Sequence, residues 1–114
     1  EMVLSFIGAG NMAEAMLRGL IARQLMPPEN IVAAGPRRER GRELERLYHV
    51  RWTQDNTVAA READILVLSV KPQVLPKVLP EIEPHLREDL LVISIVAGAR
   101  ISALSEGTGR TQIV

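Results

Sequence analysis

The chain alternates between short, unbroken apolar runs and longer amphipathic stretches. Residues 2–7 are apolar apart from Ser5, and Gly8-Ala9-Gly10 ends the run. A run this short predicts a strand buried on both faces. From Asn11 the positions Met12, Ala15, Met16, Gly19 and Leu20 recur at three- and four-residue spacing. That spacing predicts one inward face of a helix, which Pro27-Pro28 ends. Residues 31–34 read as a second strand, and residues 37–48 as a helix with Leu44, Leu47 and Tyr48 inward. Residues 50–52 read as a brief third strand, and Gln54-Asp55-Asn56 as a loop able to cap a helix over 57–62. Asp64 opens the most apolar strand, residues 65–70, which Lys71-Pro72 stops. The next helix, residues 73–86, carries Pro76, Pro80 and Pro84, so a kink or break is expected. Residues 90–96 form another buried strand, Gly98 a turn, 102–106 a short helix, and Gln112 onward the start of a last strand.

Strands alternating with helices at this spacing predict βαβ units and a parallel sheet. Right-handed crossovers then give an α/β, Rossmann-type doubly wound sheet of six strands in the order 3-2-1-4-5-6. The 114 residues fit one domain, 1–114, since domains most often run about 100–150 residues. The chain ends on the β-branched run Thr111-Gln112-Ile113-Val114, as a strand begins, and so reads as a fragment of something longer.

Composition removes several function classes. Fourteen basic residues balance fourteen acidic ones, which argues against broad attraction to nucleic acid or an anionic membrane. Phe6, Tyr48 and Trp52 are the only aromatics, too few for a base-stacking platform. There is no cysteine, no apolar run of the ~18–20 residues that span a bilayer, and no signal peptide. A soluble, cytoplasmic domain is the expectation. His49 and His85 lack partners at metal-ligand or nucleophile spacing and read as surface residues, so no metal is assigned.

One motif carries chemistry. Gly8-Ala9-Gly10-Asn11-Met12-Ala13 is G-x-G-x-x-A between an apolar strand and an amphipathic helix. Gly8 permits the tight turn, Gly10 lets backbone approach a pyrophosphate, and Ala13 keeps the helix near the strand. The helix N-terminus offers free N–H groups and partial positive charge to phosphates. The end of the second strand reads Ala33-Ala34-Gly35-Pro36-Arg37-Arg38, without the acid that would bind an NAD ribose. Arg37 and Arg38 are either solvated residues opening a charged helix or partners of a 2′-phosphate. Cations oppose the dipole at that end of a helix, which favours NADP(H), with NAD(H) as the alternative. Lys71-Pro72 is either a helix start or a contact at the C-terminal edge of the sheet, where ligands bind in such folds. Asp55-Asn56 is a helix cap or an adenosine-side contact, and Ala97-Gly98 an ordinary turn or a passage near the nicotinamide.

Three segments, residues 6–13, Val70-Lys71-Pro72-Gln73 and Ser94-Ile95-Val96-Ala97-Gly98, resemble the N-terminal domain of the pyrroline-5-carboxylate reductase family. Thr53-x-Asp55-Asn56 resembles the segment before that family's third helix. The resemblance implies hydride transfer from NADPH or NADH to 1-pyrroline-5-carboxylate, the last step of proline synthesis. By it, Ile7, Gly8, Ala9, Gly10, Asn11 and Met12 would hold the pyrophosphate, and Gly35 and Arg37 would face the 2′-phosphate. Where Gly35 stands, the family often has Ser or Asn. Asn56 would lie by the adenosine ribose, Ser69, Val70, Lys71 and Pro72 along the cofactor, and Val96, Ala97 and Gly98 near the nicotinamide. The family continues into a helical domain that makes a homo-oligomer and completes the substrate pocket. No catalytic residue is therefore expected in these 114 residues. Other readings are a deazaflavin-dependent NADP reductase, an imine reductase, or a non-catalytic nucleotide sensor.

Overall fold

The structure, a computed structural model, describes residues 2–95. Five strands, β1 (Leu4–Ile7), β2 (Ile31–Ala34), β3 (Arg51–Thr53), β4 (Ile65–Leu68) and β5 (Leu91–Ser94), alternate with four helices. The helices are α1 (Asn11–Ala22), α2 (Arg38–Tyr48), α3 (Asn56–Glu62) and α4 (Leu75–Ile82). The strands form one parallel sheet in the order β3-β2-β1-β4-β5. This is the doubly wound arrangement expected from the periodicity. The sixth strand and the helix over 102–106 lie outside the described residues.

The continuous apolar runs follow from a sheet covered on both sides. Phe6, Ile31, Ala33 and Val67 face α1 and α2, meeting Ala13, Leu17 and Leu44. Ile7, Val32, Leu66 and Leu68 face α3 and α4, meeting Ala59, Ala60, Val78, Leu79 and Ile82. Successive residues of a strand point to opposite faces, so both parities must be apolar.

In several places the structure departs from the expected elements. Helix α1 ends at Ala22, before the prolines, because Gln24 turns left-handed (φ 56°) and Leu25 N–H donates to the Leu20 carbonyl at 2.9 Å. Its inward stripe is Ala13 and Leu17 with Met16, Leu20 and Ile21 beside them, while Ala15 is exposed and Met12 is 60% exposed. Two overlapping apolar stripes exist on this helix, and the small Ala13 selects the one that sits closer to the sheet. On α2 the inward stripe runs through Gly41, Leu44 and Tyr48, which leaves Leu47 beyond its edge and half exposed.

Strand β4 stops at Leu68 rather than at residue 70, and a turn over residues 71–74 precedes α4. Pro76 then falls in the first helical turn, where its missing N–H costs no hydrogen bond. Pro80 lies inside α4 and the helix runs past it to Ile82. The expected break comes only at Glu83–His85, a separate 3-10 turn that holds Pro84 near its start. His49 is exposed and left-handed at the end of α2, and His85 is part-buried, its Nδ1 3.0 Å from the Arg61 guanidinium. Among the described residues, no helix is long and apolar enough to cross a membrane.

Gly41 is the place where α2 meets the sheet. A Cβ added there would lie 2.1 Å from Trp52 Cδ2 on β3. We expect Gly41→Ala to destabilise the fold by about 1–3 kcal/mol as the indole is displaced. Denaturant unfolding followed by the emission of Trp52, the sole tryptophan, measures this; an unchanged midpoint and spectrum would contradict the packing described.

Candidate functional site

The ends of the central strands are brought level by register and by hydrogen bonds just beyond the ladders. Ile7 pairs with Ala34 on one side and Leu68 on the other. Past that line, Gly8 N–H donates to the Ala34 carbonyl (2.9 Å), Ser69 N–H to Ile7 (2.9 Å) and Gly35 N–H to Thr53 (3.1 Å). The Ser69 hydroxyl donates to the Gly8 carbonyl at 2.9 Å, with that of Ile7 at 3.1 Å. The Gln54 amide donates to the Pro36 carbonyl at 2.8 Å, which ties the β2–α2 turn to the end of β3.

The two glycines of the motif are required for different reasons. Gly8 has φ +106°, and a Cβ there would fall 2.8 Å from the Ser69 carbonyl carbon and oxygen. The fold itself demands Gly8. At Gly10 an added Cβ would meet nothing within 4 Å, and its φ is an ordinary −86°. Among the described residues, no contact explains the absence of a side chain there. Gly10 caps α1 without a side-chain hydrogen bond, and the first helical bond runs from Glu14 N–H to its carbonyl at 3.0 Å. The N–H groups of Asn11, Met12 and Ala13 precede that bond, as the free donors of a helix N-terminus.

A cleft of about 230 Å³ opens at this edge. Three turns line it: Gly8, Ala9 and Gly10 after β1; Gly35, Pro36, Arg37 and Arg40 after β2; Ser69, Val70, Lys71 and Val74 after β4. Eight residues singled out from the sequence thus meet around one cavity. Others lie elsewhere. Ile7 is fully buried at the end of β1, while Asn11 and Met12 are exposed on the first turn of α1. Arg38 lines an adjoining hollow with Arg37, Glu39 and Arg40. Pro72 is exposed in its turn. Asn56 opens α3 and its amide donates to Glu81 Oε1 at 3.0 Å, off the walls of the cleft. The cap of that helix is Asp55, whose carboxylate accepts from Thr57 N–H (2.9 Å) and Thr57 O–H (2.6 Å). These bonds hold the Asp55 pKa below its usual range. Val96, Ala97 and Gly98 lie outside the described residues.

The charged groups at the cleft differ sharply in how they are partnered. Among the described residues, Arg37, Arg38 and Lys71 have no ion-pair partner, and all three are exposed. Arg37 caps α2, where a cation is opposed by the helix dipole. Arg40, which sequence reasoning passed over, is enclosed. Its Nε donates to the Ala9 carbonyl (2.8 Å) and its Nη2 to Gly10 (3.3 Å) and Glu14 Oε1 (2.6 Å). Its Nη1 donates to Glu43 Oε1 (2.5 Å). The Tyr48 hydroxyl donates to the other Glu14 oxygen. That hydroxyl first, and Arg40 second, hold the Glu14 carboxyl below its usual range, and the same bond raises the Tyr48 pKa. Only the Arg40–Glu43 spacing of three residues was visible in the sequence; Ala9, Gly10 and Glu14 lie 26 to 31 positions away.

Among the described residues, no group of three or more His, Asp or Glu could hold a metal ion. The cleft residues instead offer backbone N–H groups, a helix N-terminus and exposed guanidinium groups, a donor set suited to phosphates.

Known proteins resemble this chain in sequence and in fold. Residues 3–98 match the family described as NADP oxidoreductase coenzyme F420-dependent. A pyrroline-5-carboxylate reductase of Vibrio alginolyticus is 44% identical over 103 residues, which are 90% of this chain and 38% of that protein. A solved pyrroline-5-carboxylate reductase from Coxiella burnetii superposes with a TM-score of 0.92 at 32% identity, covering 98% of this chain and 42% of that one. A Plasmodium falciparum pyrroline carboxylate reductase, solved with NADP bound, gives a TM-score of 0.84 at 31% identity over 99% of this chain and 40% of that one. The chain thus spans about 40% of the length of the relatives it matches.

The lowered Glu14 pKa has a definite sign. Folding favours the ionised carboxylate, so its stabilisation is present above the ordinary value of 4.5 and is lost as pH falls through the lowered one. We expect Glu14→Gln to melt below the wild type at neutral pH, with the gap closing as pH falls below about 4. Thermal melts of both proteins across that range test this. A gap independent of pH would mean the carboxylate charge is not what holds the turn.

Proposed function

The chain belongs to the NADP oxidoreductase coenzyme F420-dependent family, and from that premise we propose that it is the NADP(H)-binding domain, residues 1–114, of a pyrroline-5-carboxylate reductase. The observation that carries the reading is the space at Gly10, open among the described residues, set against Arg37 across the same cleft, which has no ion-pair partner among them. A Cβ at Gly10 would meet no atom of the described residues within 4 Å, so this face of the turn is open to a group that comes close from outside. The pyrophosphate of a dinucleotide does so at a strand-to-helix turn of this kind.

The residues fit that group. Gly8, Ala9, Gly10, Asn11 and Met12 would hold the pyrophosphate by their backbone, with Ile7 fixing the end of the strand. Arg37 and Arg38 would bind the 2′-phosphate, with Gly35 giving backbone donors only. Ser69, Val70, Lys71 and Pro72 would flank the cofactor, Asn56 the adenosine ribose, and Val96, Ala97 and Gly98 the nicotinamide. When bound, NADPH supplies hydride to a carbon–nitrogen double bond.

The names of the relatives above support 1-pyrroline-5-carboxylate as the substrate; we take its reduction to L-proline as the reaction and the cytoplasm as its place. These residues position a cofactor, and hydride transfer needs the imine held against it as well. We assign that task, and homo-oligomer formation, to a helical domain that follows in the intact enzyme. The family description favours one second reading, a deazaflavin-dependent NADP reductase. Oxidation of NADPH by the pyrroline, but not by oxidised deazaflavin, in the intact protein would separate the two.

Titration with NADPH, NADH and ATP, followed by nicotinamide fluorescence and thermal shift, tests cofactor binding. NADPH should bind more tightly than NADH, and Arg37→Ala should weaken NADPH about tenfold or more while leaving NADH nearly unchanged. Gly10→Val should abolish binding of both without unfolding the domain. Stabilisation by ATP but by neither nicotinamide cofactor would overturn the reading, and equal losses for the two cofactors in Arg37→Ala would overturn the 2′-phosphate assignment.

A further inference from the structure

Arg40 lines the cleft beside Arg37, but its surroundings are unlike those of a phosphate ligand. Its side chain is only 14% exposed, and two carboxylates, Glu14 and Glu43, already balance its charge. Two further guanidinium N–H groups go to the Ala9 and Gly10 carbonyls, the two peptide groups at the centre of the glycine turn. In a planar trans peptide the N–H points opposite to the C=O. With the Ala9 and Gly10 carbonyls turned toward Arg40, the N–H groups of Gly10 and Asn11 are held facing away from it. Glycine turns are otherwise conformationally permissive, and nothing else among the described residues bonds the Ala9 carbonyl through a side chain.

The brace extends further. Glu14 lies on the first turn of α1 and is gripped from the other side by Tyr48, at the far end of α2. Helix α2 is thus fastened at both ends to the turn and helix that follow β1, and the same helix carries Arg37 at its cap.

We propose that Arg40 is a positioning residue for dinucleotide binding. It presets the glycine turn so that the backbone donors are aligned before the ligand arrives, and it does so without contacting the ligand. This rests on the dinucleotide reading above. A preset turn lowers the ordering cost of binding for any ligand with a pyrophosphate, whatever its ribose carries. Arg40 and Arg37 therefore divide the work, one serving affinity for both dinucleotides and the other discrimination between them.

Calorimetric titration of wild type, Arg40→Gln and Arg40→Lys with NADP+ and NAD+ separates these roles. Arg40→Gln should weaken both by the same factor, about tenfold, and shift the Gly10 and Asn11 amide resonances of the free protein. Arg40→Lys keeps the charge but loses the planar fork, so it should restore little. If Arg40→Gln lowers the melting temperature too far to use, Tyr48→Phe reaches the same brace through Glu14 from outside the cleft. It should weaken both dinucleotides equally, by a smaller factor.

A loss confined to NADP+, or full recovery in Arg40→Lys, would make Arg40 a phosphate ligand and overturn the proposal. Unchanged affinities in both Arg40→Gln and Tyr48→Phe would overturn it too. A wild-type chain that binds neither dinucleotide would remove the dinucleotide reading, and this inference with it.

Discussion

The close passage of Gly8 over the backbone of Ser69 and Val70 sets the geometry of everything at the C-terminal edge of the sheet. A Cβ at that point would lie 2.8–2.9 Å from three backbone atoms that have no room to move, and the φ of +106° excludes other residues on conformational grounds as well. Because the chain can leave β1 so tightly, only three residues separate the strand from α1. Ala13 is then fully buried in the same core cluster as Phe6 and Val67. The register that places Ile7 between Ala34 and Leu68 brings three turns to one level, and the cleft is the space between them. Both the free N–H groups and the exposed guanidinium groups owe their placement to this junction.

Charge is distributed over that cleft in a way the whole-chain total conceals. Fourteen positive and fourteen negative residues cancel overall, yet Arg37, Arg38 and Lys71 stand at one edge of the sheet without ion-pair partners among the described residues. Arg40, three positions from Arg37, is neutralised within the protein. Two arginines on one helical turn thus have opposite relations to solvent. Sequence spacing does not separate them, since the difference lies in Glu14 and in the carbonyls of another segment.

Much of the fold was legible in the sequence because both faces of the sheet are covered. Nearly continuous apolar runs at residues 2–7, 31–34, 65–70 and 90–96 leave little choice but a parallel sheet with helices on each side. The glycine motif could be placed for the same reason: it stands where a strand must become a helix. What escaped depended on contacts distant in sequence. Ala13, rather than Met12 or Ala15, chose the inward stripe of α1. Trp52 on β3 decided that Gly41 would draw α2 inward and leave Leu47 outside. Pro76 and Pro80 could be tolerated because one falls in the first turn of α4 and the helix is held by Leu75, Val78, Leu79 and Ile82 against the sheet. Asn56, read as either cap or contact, proved to sit one residue inside the helix that Asp55 caps, bonded to Glu81. The brace through Arg40 had no local signature beyond its pairing with Glu43.

The central claim is that the glycine turn after β1 and the arginine turn after β2 form the two ends of one NADP site. A crystal structure of the chain with NADP+ tests it most directly. The account requires the pyrophosphate within hydrogen-bond distance of the Gly10–Met12 backbone N–H groups, and the 2′-phosphate on the Arg37 guanidinium. A dinucleotide seated away from Gly10, or one whose 2′-phosphate points into solvent with Arg37 uninvolved, would contradict it.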